Sequence, residues 1–195
     1  MRTYTNQQIR RGMKRDRSGD ETEMMLTYSA AEAVLAGMYG LDANVQEKAF
    51  RARLKHLKRL GVPLGSNPGR GTKIWYHDEQ VYQWAFCLEL AEFGIDPTSV
   101  VGFIRDSWAD IFQHFNEARG RQGEEELCFC SEPRFMAAPL SGGGIGFEYS
   151  WREAGRVRVD GVRRALVINL TAMVREIDIL RVRADSTQER SDHNG

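Results

Sequence analysis

The sequence is poor in cysteine and histidine and carries no net charge. Its 195 residues hold three cysteines and four histidines, and 27 Lys and Arg balance 27 Asp and Glu. A small, odd number of thiols builds no disulfide framework, which fits a reducing, cytosolic setting. No apolar run approaches the roughly 20 residues that cross a bilayer, and no signal-peptide core is present. A membrane is therefore not an expected partner. The start is rich in arginine, but Asp16, Asp20, Glu21 and Glu23 argue against an import peptide. His56, His77, His114 and His193 are scattered, and none completes a nucleophile–base arrangement. The glycine-rich "LSGGGIG" from Leu140 lacks the Lys and Ser/Thr that a phosphate loop needs. Neither an enzyme nor a cofactor is expected. Cys128 and Cys130 in "LCFCS" would share one face of a strand and have metal-ligand character. Without a third ligand nearby they read as buried, unreactive thiols.

The zero net charge conceals a division. Residues 1–76 hold 14 Lys and Arg against 7 Asp and Glu, while residues 77–195 hold 13 against 20. The imbalance is steepest in Val45–His77, with 8 basic residues and 1 acidic. Such an asymmetry is the footprint of a nucleic-acid-binding part joined to something else.

Five segments are expected. Residues 1–25 are polar, with Arg10, Arg11, Lys14, Arg15 and Arg17 clustered; they read as a flexible basic leader. Residues 26–96 read as a DNA-binding domain, 97–119 as a linking or dimerisation helix, 120–185 as a small α+β domain, and 186–195 as a disordered tail. Ser29 and Glu32 have capping-box spacing and open a short helix, Ala30–Ala36, which Gly37 and Gly40 break. Asn44 and Glu47 repeat the arrangement and open a longer helix to about Leu60, ended by Gly61 and Pro63. Two capped helices joined by a glycine-containing turn form a helix-turn-helix candidate. A third helix ends at Gly94, and Asp96-Pro97 begins a fourth. There Val101, Ile104, Trp108, Ile111 and Phe115 make a heptad-like seam suited to dimerisation. Beyond "ARGRQGEEE" the period becomes that of strands in "ELCFCS", "IGFEYSW", "RVRV" and "VRRALVINL", with Asp160-Gly161 a hairpin signal between the last two. Thr171 then caps a helix, "AMVREIDILRV".

The second helix carries the chemistry. With Lys48 at zero on a helical wheel, Arg51, Lys55, Lys58 and Arg59 share its arc, about 280° to 20°. His56 and Ala52 border that side, Phe50, Leu54, Leu57 and Leu60 lie opposite, and Arg53 falls within the apolar arc. A solvated helix face usually mixes signs. Five cations without an acid make a repulsive strip that DNA phosphates would relieve, with release of counterions. Next comes "NPGRGTKIWY". Its glycines and proline mark a turn, and Thr72–Tyr76 has strand composition. A hairpin directly after such a helix is a wing, with Arg70 at its tip and Lys73 on its flank as backbone contacts.

The order of "YSAAEAV", "RLKHLKRLGVP", "GRGTKIWYHDEQV" and "FCLELAEFGIDPTSVVGFI" resembles the MerR family of winged-helix regulators, over about residues 28–105. The resemblance implies a homodimer joined through its long helices on a palindromic double-stranded site. It places Lys55 and its neighbours in the major groove and Arg70 on the wing.

The expectation is a mainly α winged helix-turn-helix, then a dimerisation-type helix and a small α+β domain of antiparallel strands and one helix. The function expected is that of a sequence-specific, nucleoid-associated transcriptional regulator binding double-stranded DNA. Two alternatives stand beside it. One is an excisionase-like architectural accessory protein. The other makes residues 120–195 a ligand-sensing or protein-interaction module, with a small-molecule or protein effector, that DNA binding merely targets.

Overall fold

The computed structural model describes residues 25–41, 46–66, 74–121, 125–131, 149–157 and 165–192, without the side chains of 46–47 and 185–192. Among them, five helices and a small sheet follow one another: α1 (Tyr28–Met38), α2 (Gln46–Leu60), α3 (Asp78–Glu92), α4 (Pro97–Gly120), β1 (Leu127–Ser131), β2 (Tyr149–Glu153), β3 (Leu166–Asn169) and α5 (Leu170–Asp192). The chain is thus mainly helical, with a three-stranded antiparallel sheet in the order β2-β1-β3. Among the described residues no helix is long and apolar enough to cross a membrane.

The centre is α3. Val81, Tyr82, Trp84, Ala85, Phe86, Cys87, Leu88 and Leu90 are all buried, so the helix is covered on every side. Tyr82 stacks on Phe115 of α4 with centroids 4.8 Å apart, and Phe86 meets Phe129 of β1 edge-on at 5.1 Å. The Trp84 indole donates to the Val62 carbonyl at 3.2 Å, tying the end of α2 to this core. One buried cluster runs from Leu26 to Ile177, through all five helices and the sheet.

Local signals explain most helix ends. Gly61 has φ +102°, and the bonds Gly61 N–H to Lys58 O (3.1 Å) and Val62 N–H to Leu57 O (3.1 Å) close α2. Gly94, at φ +81°, ends α3 the same way, with Ile95 folded back into the core. The Asp96 carboxylate accepts from the Thr98 and Ser99 amides at 3.1 Å, capping α4 with Pro97 in its first turn.

Several sequence expectations require correction. The cap of α1 is Thr27, whose hydroxyl accepts from the Ala30 amide at 3.2 Å; Glu32 is engaged elsewhere. Gly37 does not break α1. It lies in the last turn, where an added Cβ would sit 2.8 Å from Leu180 Cδ2, so its bare backbone lets α5 approach. Thr171 does not cap α5. Asn169 does, accepting from the Ala172 amide at 2.9 Å, while the Thr171 hydroxyl accepts from the Leu127 amide. The helix also runs on to Asp192, where a tail is expected from 186. The stretch after Leu180 contains good helix formers and no proline, and its first glycine is Gly195. Arg156, in the expected strand "RVRV", belongs to a 3-10 turn (Ala154–Arg156).

The largest correction concerns the α4 seam. Ile104, Ile111 and Phe115 have no exposed surface, and Val101 and Trp108 are buried. The heptad-like spacing serves the chain's own core, in which α3 and α5 pack against α4. These five side chains are taken up in the chain's own core.

Candidate nucleic-acid interface

Burial seats α2. Phe50, Leu54 and Leu57 are buried beneath it, each worth roughly 1.5–3 kcal/mol on leaving water. Phe50 packs against Tyr39 at a centroid distance of 6.0 Å. At the far end, the Arg105 guanidinium of α4 donates to the Leu60 carbonyl at 3.3 Å, satisfying one of the last carbonyls of α2.

The five cations on the opposite arc have different roles. Arg51 Nε donates to Glu32 of α1 at 2.6 Å, so the strip is not free of acids: one comes from the neighbouring helix. Lys58 is half-buried; its Nζ donates to Tyr76 Oη at 3.0 Å and lies 5.6 and 5.8 Å from the Tyr28 and Tyr76 ring centres. A lysine held by a hydroxyl and two ring faces is a strut between α2 and the strand at Tyr76. Arg53 leaves the apolar arc for an exposed pair with Glu92 at 2.6 Å.

Lys48, Lys55 and Arg59 remain. All three are exposed, and among the described residues no ion pair engages them. With Ala52 they stand at i, i+4, i+7 and i+11, a single stripe about 16 Å long. Arg59 Nη2 lies 3.4 Å from His56 Nδ1, on the stripe's margin. Ala52, Lys55, Lys58 and Arg59 line an open depression of about 580 Å³. A small residue at the middle of a cationic stripe lets a polyanion come close to the helix backbone.

The strand root beside it is defined at Tyr76, which exchanges both backbone hydrogen bonds with Leu26 at 2.8 Å in an isolated antiparallel bridge. Ile74 packs on the core and Tyr76 is buried, so this pair faces inward. Arg70 and Lys73, with the turn around them, lie outside the described residues, as do Asn44 and the Asp160-Gly161 hairpin signal.

The cysteines lie elsewhere. Cys128 and Cys130 are on β1, on the face opposite Phe129, and burial pushes both thiols up. Cys87 is fully buried in α3, and burial raises its thiol strongly. Among the described residues no group of three His, Cys, Asp or Glu could hold a metal ion.

Sequence reasoning missed both struts. The partner of Arg51 could be sought in α1, since Glu32 follows an apolar stretch at a position the helix must bury. Nothing in the sequence singles out Lys58 from Lys55.

No protein-family model, curated protein or solved structure matches this chain.

Proposed function

We propose that the chain is a sequence-specific double-stranded-DNA-binding protein of the regulator type, with α2 as the helix that enters the major groove. The observation that carries this reading is the Lys48–Ala52–Lys55–Arg59 stripe, exposed and, among the described residues, without an ion pair, on a helix fixed by buried residues on its other side. A helix of this kind fits the roughly 12 Å width of the major groove. The Leu26–Tyr76 bridge supports a winged form of the helix-turn-helix. In that form Arg70, which the resemblance to the MerR family places on the wing, and Lys73 on the flank of the hairpin reach backbone phosphates. A gel-shift titration against genomic fragments tests the reading: Lys55→Ala and Arg59→Ala should weaken binding while the thermal melt is kept, and unchanged affinity would sink it.

The burial of the α4 seam favours a second reading. Its long helix turns the seam residues Val101, Ile104, Trp108, Ile111 and Phe115 inward, which suits a chain that does not pair through them. A chain that binds as a monomer, or in arrays, suits the architectural role of an excisionase-like protein. Footprinting separates the two, by one palindromic site or an extended protected tract.

A further inference from the structure

One exposed strip of α2 is short. With Lys48 at zero on the helical wheel, Ala52, His56 and Ala49 fall at about 40°, 80° and 100°. All three are exposed, and among the described residues of α2 every other exposed side chain is a lysine or an arginine. The two alanines end at Cβ, so along this strip nothing longer than His56 keeps a surface from the helix backbone. Cations flank it. Lys55, Lys48 and Arg59 stand on one side, at about 340° to 20°. Arg53, in its exposed pair with Glu92, stands on the other, at about 140°.

A duplex major groove has the matching cross-section: phosphates line its two rims, and base edges form its floor. Long cations on both sides of a short strip can reach the rims while the strip meets the floor. An alanine methyl offers a base edge no hydrogen bond, and the apolar group that the floor presents is the C5-methyl of thymine. His56 adds a polar contact. Arginine has no acceptor, so in the 3.4 Å hydrogen bond between Arg59 Nη2 and His56 Nδ1 the imidazole accepts. The proton of the neutral ring then sits on Nε2, which can donate to a purine N7 or O6. Ala52 and His56 are four residues apart, about 6 Å along the helix axis and less than two base-pair steps.

We infer that Ala52 and His56 are the specificity-determining residues of α2: Ala52, with Ala49 beside it, packs on a thymine methyl, and His56 Nε2 donates to a neighbouring purine. The inference rests on the DNA-binding reading above and divides the helix into a strip that reads sequence and cations that hold phosphates. The strip neutralises no phosphate. Changing it therefore alters the preferred sequence and leaves the salt slope as it is.

The test uses the full chain. Wild type, Ala52→Gln, His56→Ala and Lys55→Ala each select sites from a random-sequence duplex pool. Affinities for the wild-type site are then measured at several salt concentrations, with thymine or deoxyuridine at each thymine position. In wild type one thymine should be sensitive: deoxyuridine there, which lacks only the methyl, should weaken binding about fourfold, the order expected when one methyl leaves an apolar contact. That comparison needs no variant. Ala52→Gln places a good helix former at an exposed position and should keep the melt. It should select a different base at that position and bind thymine and deoxyuridine equally, with the wild-type slope. His56→Ala should lose the preference for a purine within about two positions of it. Lys55→Ala should select the wild-type site with a smaller slope. A wild-type site without a methyl-sensitive thymine, or an Ala52→Gln protein that selects the wild-type site, overturns the inference; a smaller slope in Lys55→Ala then leaves the α2 reading standing. Unchanged selection by His56→Ala overturns the role given to His56. Wild type that binds no duplex at low salt overturns both readings.

Discussion

Lys58 Nζ and Tyr76 Oη lie 3.0 Å apart, and this bond joins the basic helix to the strand root beside it. A cation in the middle of a basic arc is here a structural element. Tyr76→Phe removes the acceptor and keeps the ring beneath the ammonium. It should cost roughly 1.5–3 kcal/mol of stability, the usual value of a hydrogen bond to a charged group. Its DNA affinity should keep the wild-type salt dependence. Chemical denaturation and a salt titration check the two halves separately.

Gly37 and Leu180 are paired across α1 and α5 in a similar way. Gly37→Val would drive branched carbons into space already held by the Leu180 methyls. A loss of roughly 1–3 kcal/mol is expected, as for other overpacked contacts. Adding Leu180→Ala to that variant should recover part of it. Denaturation of the double-mutant cycle measures the coupling, and strict additivity would show that the contact is not shared.

The α4 seam yields a prediction that separates core from interface. Phe115 is fully buried and stacks on Tyr82. Phe115→Ala should therefore cost about 3–5 kcal/mol in unfolding free energy. Sedimentation of the folded wild type should show no association through this face. A variant that keeps its stability and loses only association would restore the seam as a dimer surface.

Stability should also depend on Glu89. Burial holds its carboxyl above the ordinary value, Glu92 and Glu176 add to the rise, and the hydrogen bond from the Tyr39 hydroxyl opposes it. A carboxyl with a raised folded-state value binds more protons in the native state than in the unfolded chain within that window. Stability is therefore greatest below the unfolded value and falls as pH rises through the folded one. Glu89→Gln keeps an acceptor for Tyr39 and should flatten the fall in melting temperature as pH rises above the ordinary carboxylate range. An identical pH profile for wild type and variant would refute the assignment.

Much of this architecture is legible in the sequence where local chemistry decides it. Gly61, Gly94 and Asp96-Pro97 end and begin helices as expected, because left-handed glycines and carboxylate caps act within one turn. Non-local contacts are less legible. Glu32 has the spacing of a capping box, yet its carboxylate is drawn to Arg51 of another helix. Gly37 looks like a breaker, and only the approach of Leu180, far along the chain, explains it as a packing position. The α4 pattern is the plainest instance. A heptad-like spacing records that one face is apolar, and the same record is left by a partner chain or by the chain's own core. The basic face of α2 was legible as a group, but its division into struts (Arg51, Lys58) and an open stripe (Lys48, Lys55, Arg59) depends on tertiary partners.

The most direct test of the central claim is the slope of log Kobs against log salt for duplex binding by wild type, Lys55→Ala/Arg59→Ala and Tyr76→Phe. Each phosphate contact contributes about 0.9 to that slope. The double variant should therefore lose about 1.8 from it, with its melt preserved, while Tyr76→Phe should match wild type. A double variant with the wild-type slope and affinity would contradict the assignment of the α2 stripe to DNA.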